Sequence, residues 1–151
     1  MASAPRQAWG DLATTAFVDS SHLFKSLDPE ARRDLLQIAT LLEVVPGEIV
    51  PAAATSGDSF YLVLDGSASV LVPGRDGPVE IARLERGAFF GEARVLGGGR
   101  PASLVAVTEL TLVAFPVLVI AAIAERFPKV KKLLETVLAA RERDASERLA
   151  S

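Results

Sequence analysis

Between residues 48 and 116 the chain breaks into short runs rich in Val, Ile, Leu and Phe, separated by glycine- or proline-bearing turn signals. The runs are Ile49-Val50 and residues 59–64, 67–72, 79–84 and 103–115. Between them lie Ser56-Gly57-Asp58, Asp65-Gly66, Pro73-Gly74-Arg75-Asp76-Gly77 and Glu85-Arg86-Gly87. Many short β-rich runs at near-even spacing predict a small barrel or sandwich.

Helical patterns flank this region on both sides. Residues 1–10 read as a loose tail, and residues 11–20 as a short helix with Leu12, Ala16 and Phe17 on one side. Asp28-Pro29-Glu30 is a helix start: Asp caps, Pro occupies the first turn, and Glu lies near the positive end of the helix. Leu35, Leu36, Ile38, Ala39 and Leu42 then follow helical spacing until Pro46-Gly47 turns the chain. Beyond Pro116, residues 117–126 form one helix and Pro128 opens another, with Val130, Leu133, Leu134, Val137 and Leu138 as its apolar stripe. Residues 141–148 are charged on all sides, which predicts a solvated or frayed end. There is no internal repeat and no dividing linker, so the expected organisation is a tail and short helix over residues 1–17 and one domain over residues 18–151.

Composition narrows the function classes. A net charge of −3 argues against sequence-independent nucleic-acid binding, which relies on clustered Lys and Arg. With no cysteine and one histidine, His22, neither a disulfide framework nor a Cys/His metal site is expected. The longest apolar stretch, residues 110–124, contains Thr111 and Pro116 and falls short of the roughly 20 residues of a spanning helix. No basic-then-apolar leader opens the chain, and a cytoplasmic setting is expected.

One loop carries chemistry. Phe90-Gly91-Glu92 is followed by Gly97-Gly98-Gly99 and then by Arg100-Pro101-Ala102-Ser103. A carboxylate accepts hydrogen bonds from a sugar hydroxyl, and a guanidinium binds phosphate through a planar fork of donors. Glycines let backbone N–H groups approach an anion. The combination suits a small ligand that has both a hydroxyl and a phosphate, although a surface turn uses the same residues. The stretch from Gly91 to Leu96 is expected to make one helical turn.

Five motifs in order resemble those of the cyclic nucleotide-binding domain family, the type found in the catabolite activator protein, regulatory subunits of cAMP-dependent protein kinase and nucleotide-gated channels. They are His22-Leu23-Phe24-Lys25-Ser26-Leu27, Pro46-Gly47-Glu48-Ile49, the hairpin from Gly57-Asp58 to Asp65-Gly66, the segment from Leu84 to Gly91-Glu92, and Arg100-Pro101-Ala102-Ser103-Leu104-Val105-Ala106. The similarity covers about residues 18–140. It implies a mainly β fold, a jelly-roll-like barrel with flanking N-terminal and C-terminal helices.

By the same resemblance, Gly91, Glu92, Ala93, Arg94, Arg100, Pro101, Ala102 and Ser103 form a phosphate-binding cassette. Glu92 would hold the ribose 2′-hydroxyl and Arg100 the cyclic phosphate, with backbone N–H groups near Arg94 and Ala102 assisting. The final helix would fold over the base as a lid through Leu134, Val137, Leu138 and Arg141. Two departures stand out. The cassette is one residue shorter than in the kinase subunits, and Pro101 follows the arginine where the family usually has Ser, Thr or Ala. Proline has no N–H to offer a phosphate. It also lacks the hydroxyl that guanine selectivity often uses, so cAMP is expected over cGMP.

The plainer readings stay beside these. Glu92 and Arg100 would also make an internal salt bridge in a domain that has lost its ligand and serves for interaction or dimerisation. Ser103 touches phosphate or starts a strand; Arg94 is a solvated side chain; Arg141 stacks on a base or sits at a solvated helix end. The stripe of the last helix serves as lid, core or dimer seam. His22 and Tyr61 are structural, and Trp9 is left open. With no paired acids, metal cluster or Ser–His–Asp arrangement, an enzyme is not expected. No cofactor is expected either, the ligand being a signal. No helix-turn-helix follows the last helix before Ser151, so DNA binding by this chain is not expected. The partners expected are the nucleotide, and a second copy, an effector domain or a partner protein.

Overall fold

Asp28 caps a helix as its sequence demands. Its Oδ1 accepts from the Ala31 N–H at 2.8 Å, and Pro29 takes the first helical position. The computed structural model describes residues 2–4, 18, 21–50, 59–97 and 102–150. The elements are β1 (Ala2–Ala4), α1 (His22–Lys25), α2 (Pro29–Ile38), β2 (Thr40–Val44), β3 (Ser59–Asp65), β4 (Ala68–Gly74), β5 (Gly77–Leu84), β6 (Phe89–Phe90), α3 (Glu92–Val95), β7 (Ser103–Ala106), β8 (Leu110–Pro116), α4 (Val117–Arg126) and α5 (Pro128–Ala150).

Two antiparallel sheets form the roll. One has the order β1-β2-β8-β3-β6 and the other β5-β4-β7. Strand β3 is buried on both faces because it divides two cores. Phe60, Leu62 and Leu64 join a cluster with Phe24, Leu35, Phe115, Ile120 and Leu134, built mainly from the helices. Tyr61 and Val63 point the other way, into the space between the sheets with Val70, Ile81, Leu104 and Leu112. This is the period-two alternation of a strand with no polar face. β8 does the same with Val113 and Phe115 against Leu112 and Ala114. The expected fold class holds: mainly β, with helices at both ends.

Several local expectations do not. Leu42 belongs to β2, not to a helix continuing past Ala39. Pairing of Thr40–Val44 with β8, from Thr40↔Ala114 to Val44↔Leu110, overrides the helical spacing. The run 103–115 is two strands. Residues 107–109 wrap the β3–β4 turn, where Val107 donates to the Ser67 C=O at 2.9 Å and Thr108 Oγ1 accepts from the Ser67 N–H at 3.0 Å. Ala2–Ala4, expected as loose tail, is a strand along the outer edge of β2. The predicted helix at 11–20 lies outside the described residues apart from Val18, which is buried. Trp9 lies outside them too.

The charged end of the last helix is neither solvated throughout nor frayed. Helix α5 runs unbroken to Ala150, with Ala145 fully buried and Leu149 packed against the inter-sheet core.

Candidate functional site

Strand β6 delivers the site. It pairs with β3 through Tyr61↔Phe90 and Leu62↔Phe89, and ends at Gly91. Gly91 has φ +117°, and a Cβ placed there would stand 3.0 Å from the Ser59 carbonyl oxygen and 3.1 Å from the Phe60 Cα. Both the left-handed backbone and this approach to β3 require glycine. The chain then makes the expected single helical turn, α3, which starts at Glu92.

Glu92 is 4% exposed. A carboxylate so deeply buried needs a charged or hydrogen-bonding partner, since taking it out of water is costly. Arg141 of α5 supplies one: its Nη1 donates to Glu92 Oε1 at 2.6 Å. Their side chains are 14% and 6% exposed. The guanidinium also lies over the Phe89 ring, with Cζ 5.7 Å from its centroid. Phe89 in turn packs on Phe60 at 5.4 Å between centroids. Arg141 is therefore held by a short charge-assisted hydrogen bond and by an aromatic face. A carboxylate accepts at two oxygens, so Glu92 keeps capacity for a further donor.

The structure places the remaining predicted residues as follows. Ala93 is half-buried and Arg94 exposed, in line with a solvated side chain. Ala102 is half-buried against the inter-sheet core, and Ser103 opens β7 opposite Leu71. Arg100 and Pro101 lie outside the described residues. Leu134 is a core residue with no exposure, beneath the helices and not on an open lid surface. Val137 is partly buried against the same cluster, and Leu138 is half-buried. Tyr61 is buried core and His22 is exposed on α1.

Arg141 needs correcting most. It is not a solvated helix end but the ionic partner of Glu92. Glu92 makes an internal salt bridge with Arg141; the pairing expected of it, with Arg100, falls on a residue outside the described ones. The signal was available: Arg141, Ala145 and Leu149 continue the face of Leu134 and Leu138 at helical spacing, with two small or apolar residues among the charges. Phe89, the platform under Arg141, was not singled out either. Among the described residues no group of three or more His, Cys, Asp or Glu lies placed to hold a metal ion, and no helix is long and apolar enough to cross a membrane.

Residues 41–127 match the family model described as cyclic nucleotide-binding domain. The cAMP-dependent protein kinase regulatory subunit of Aspergillus niger is 33% identical over 96 residues, 63% of this chain and 23% of that protein. Lysophospholipase nte1 of Aspergillus terreus is 30% identical over 131 residues, 83% of this chain and 9% of that protein. Among solved structures, the regulatory subunit of a cAMP-independent protein kinase A from Trypanosoma brucei is similar with TM-score 0.75 and 19% identity, covering 94% of this chain and 51% of its own. The sensor domain of the transcriptional regulator DNR from Pseudomonas aeruginosa gives TM-score 0.69 and 19% identity, covering 84% of this chain and 91% of its own. At these identities the structural likeness is one of fold. The chain spans a quarter or less of the length of the curated relatives it matches.

Proposed function

The chain belongs to the cyclic nucleotide-binding domain family, and on that premise we propose that it is a regulatory module which binds cAMP in preference to cGMP. The observation that carries this reading is Glu92: a nearly buried carboxylate that follows a glycine required by both its positive φ and its approach to β3, at the position where the family's cassette holds a ribose hydroxyl. Arg100 is assigned the cyclic phosphate and the backbone around Ala102 assists it. The preference for cAMP rests on Pro101, which offers no hydroxyl to guanine. The role is one of binding, not catalysis.

The output in this reading is the position of α5. Arg141 ties the helix to Glu92, so a ligand that engages Glu92 changes the energy of the docked helix and shifts its population. Residues 18–151 act as the module, and the helix reports to an effector domain, a partner protein or a second copy.

One observation favours a second reading. Glu92 already has an internal counter-ion in Arg141, as expected of a domain that keeps the fold for interaction or dimerisation without a ligand. A neighbour of like fold belongs to a kinase described as cAMP-independent.

Calorimetric titration of the chain with cAMP and cGMP, repeated on Arg100→Ala, separates the two. Micromolar or tighter cAMP binding that is lost in the variant supports the nucleotide module. A folded protein that shows neither heat nor a thermal shift with either nucleotide supports the second reading.

A further inference from the structure

The last turns of α5 make contacts that share no residue with the cassette. Ala145 is fully buried and joins the inter-sheet core that contains Val72 and Ile81. Leu149 packs on the same core beside the β4–β5 turn; a Cβ added at Gly74 would lie 3.5 Å from its Cδ2. Arg148 Nη1 donates to the Glu80 carbonyl oxygen of β5 at 2.9 Å. The Glu80 carboxylate is itself fixed, accepting from Ser69 Oγ and from Arg83 Nε. β5 is an edge strand of its three-stranded sheet, and α5 packs against it, covering an edge that would otherwise invite pairing.

This seat and the ionic contact at Glu92 are mechanically one. Arg141 and Ala145 are a single helical turn apart, about 6 Å along the axis, and share a face with Arg148 and Leu149. An unbroken helix seated at Ala145 brings Arg141 to Glu92, and a helix lifted at Ala145 draws Arg141 away. The small side chain at 145 is what permits the close approach to the roll.

We propose that the β4–β5 hairpin is a docking seat for the end of α5, and that the seat formed by Ala145, Arg148 and Leu149 sets how firmly the helix stays over the cassette. Ligand affinity is then tuned from residues that never touch the ligand, because apparent affinity scales with the fraction of molecules whose helix is in the competent position. The seat rests on geometry alone; its effect on affinity rests on the nucleotide reading given above.

The test uses the full chain, with Ala145→Glu and, as a milder change, Arg148→Ala combined with Leu149→Ala. Hydrogen exchange without nucleotide is expected to rise about tenfold or more across residues 138–150 in the variants and to stay unchanged in β3 and β8. Titration with cAMP is expected to show affinity falling with the docked fraction, about tenfold where that fraction drops to about a tenth. If Ala145→Glu does not fold, the milder variant gives the same readouts. Unchanged exchange in folded variants overturns the seat. Faster exchange with unchanged cAMP affinity overturns the link between seat and cassette. If the parent binds neither cAMP nor cGMP while the variants still free the helix end, the seat holds and the nucleotide reading, with its tuning, fails.

Discussion

Nη1 of Arg141 stands 2.6 Å from Oε1 of Glu92, and this contact joins the last helix to a turn 49 residues earlier in the chain. Neither group is near water enough to be satisfied by it: the side chains are 14% and 6% exposed. The pair therefore ties the helix to the turn at Glu92 and, at the same time, makes burial of Glu92 tolerable.

Removing one partner leaves a buried charge alone. Arg141→Ala is expected to destabilise the fold by about 3 kcal/mol, the lower end for breaking a buried pair because Arg141 retains some solvent contact. For a chain of this size that lowers the thermal midpoint by roughly 6–12 °C. Adding Glu92→Gln to Arg141→Ala is expected to recover part of the loss. Thermal unfolding of the four proteins of this cycle measures the coupling. A coupling near zero would mean that the pair contributes nothing to stability.

Any side chain at Gly91 is strained. Gly91→Ala combines a positive φ with contacts of 3.0 and 3.1 Å to the β3 backbone, and is expected to cost about 1–3 kcal/mol. Glu92 follows directly in sequence, so the substitution also misplaces the carboxylate. Urea denaturation reads the first effect. On the proposed reading, cAMP titration of the folded variant shows the second as a loss of affinity.

On the proposed reading, Pro101 leaves a cyclic phosphate one N–H donor short. Pro101→Ala restores that donor and is expected to tighten cAMP binding by about 1.5–3 kcal/mol, roughly ten- to a hundredfold. Calorimetry on parent and variant decides; equal affinities would show that this N–H has no part in the site.

Acid weakens the hairpin to a small extent through Glu80. Hydrogen bonds from Ser69 and then Arg83 hold its carboxyl below the ordinary carboxylate value, with the nearby charges of Arg83 and Arg148 adding to the effect and burial opposing it. A carboxyl whose pKa is lower folded than unfolded contributes stability above its unfolded pKa, about 4.3, and that contribution disappears as pH falls through the folded value. The Glu80 and Arg83 side chains are 35% and 49% exposed, so screening keeps the contribution to about 1 kcal/mol at most. Denaturation midpoints between about pH 3 and 7 are expected to fall less steeply on the acid side in Ser69→Ala than in the parent, since the largest cause of the shift is gone.

Much of this architecture was legible in the residues. Turn signals bounded β3, β4 and β5 to within a few positions, since glycine, proline and aspartate act on the backbone next to them. Asp28-Pro29 announced α2 by the same local chemistry, and Gly91-Glu92 announced the turn of the site. Strand β2 was misread because Leu35 to Leu42 satisfies helical spacing, and only β8 alongside makes the extended form of residues 40–44 the better one. The split of residues 103–115 needed the β3–β4 turn, whose Ser67 lies far from Thr108 in sequence and bonds to it in space.

By itself, then, the sequence determined the β-rich middle, the helical ends, the glycine turn and the presence of one buried-capable acid beside it, all of which depend on neighbours along the chain. The tertiary structure alone decided which cation answers that acid. Arg141, Arg143 and Arg148 look alike in a charged helical stretch. Their fates differ because α5 lays one face across the roll, placing Arg141 on Glu92, Ala145 in the core and Arg148 on the β5 carbonyl. A charge is solvated or buried according to what the fold brings against it, and contacts between residues so far apart in the chain are set by packing, not by local pattern.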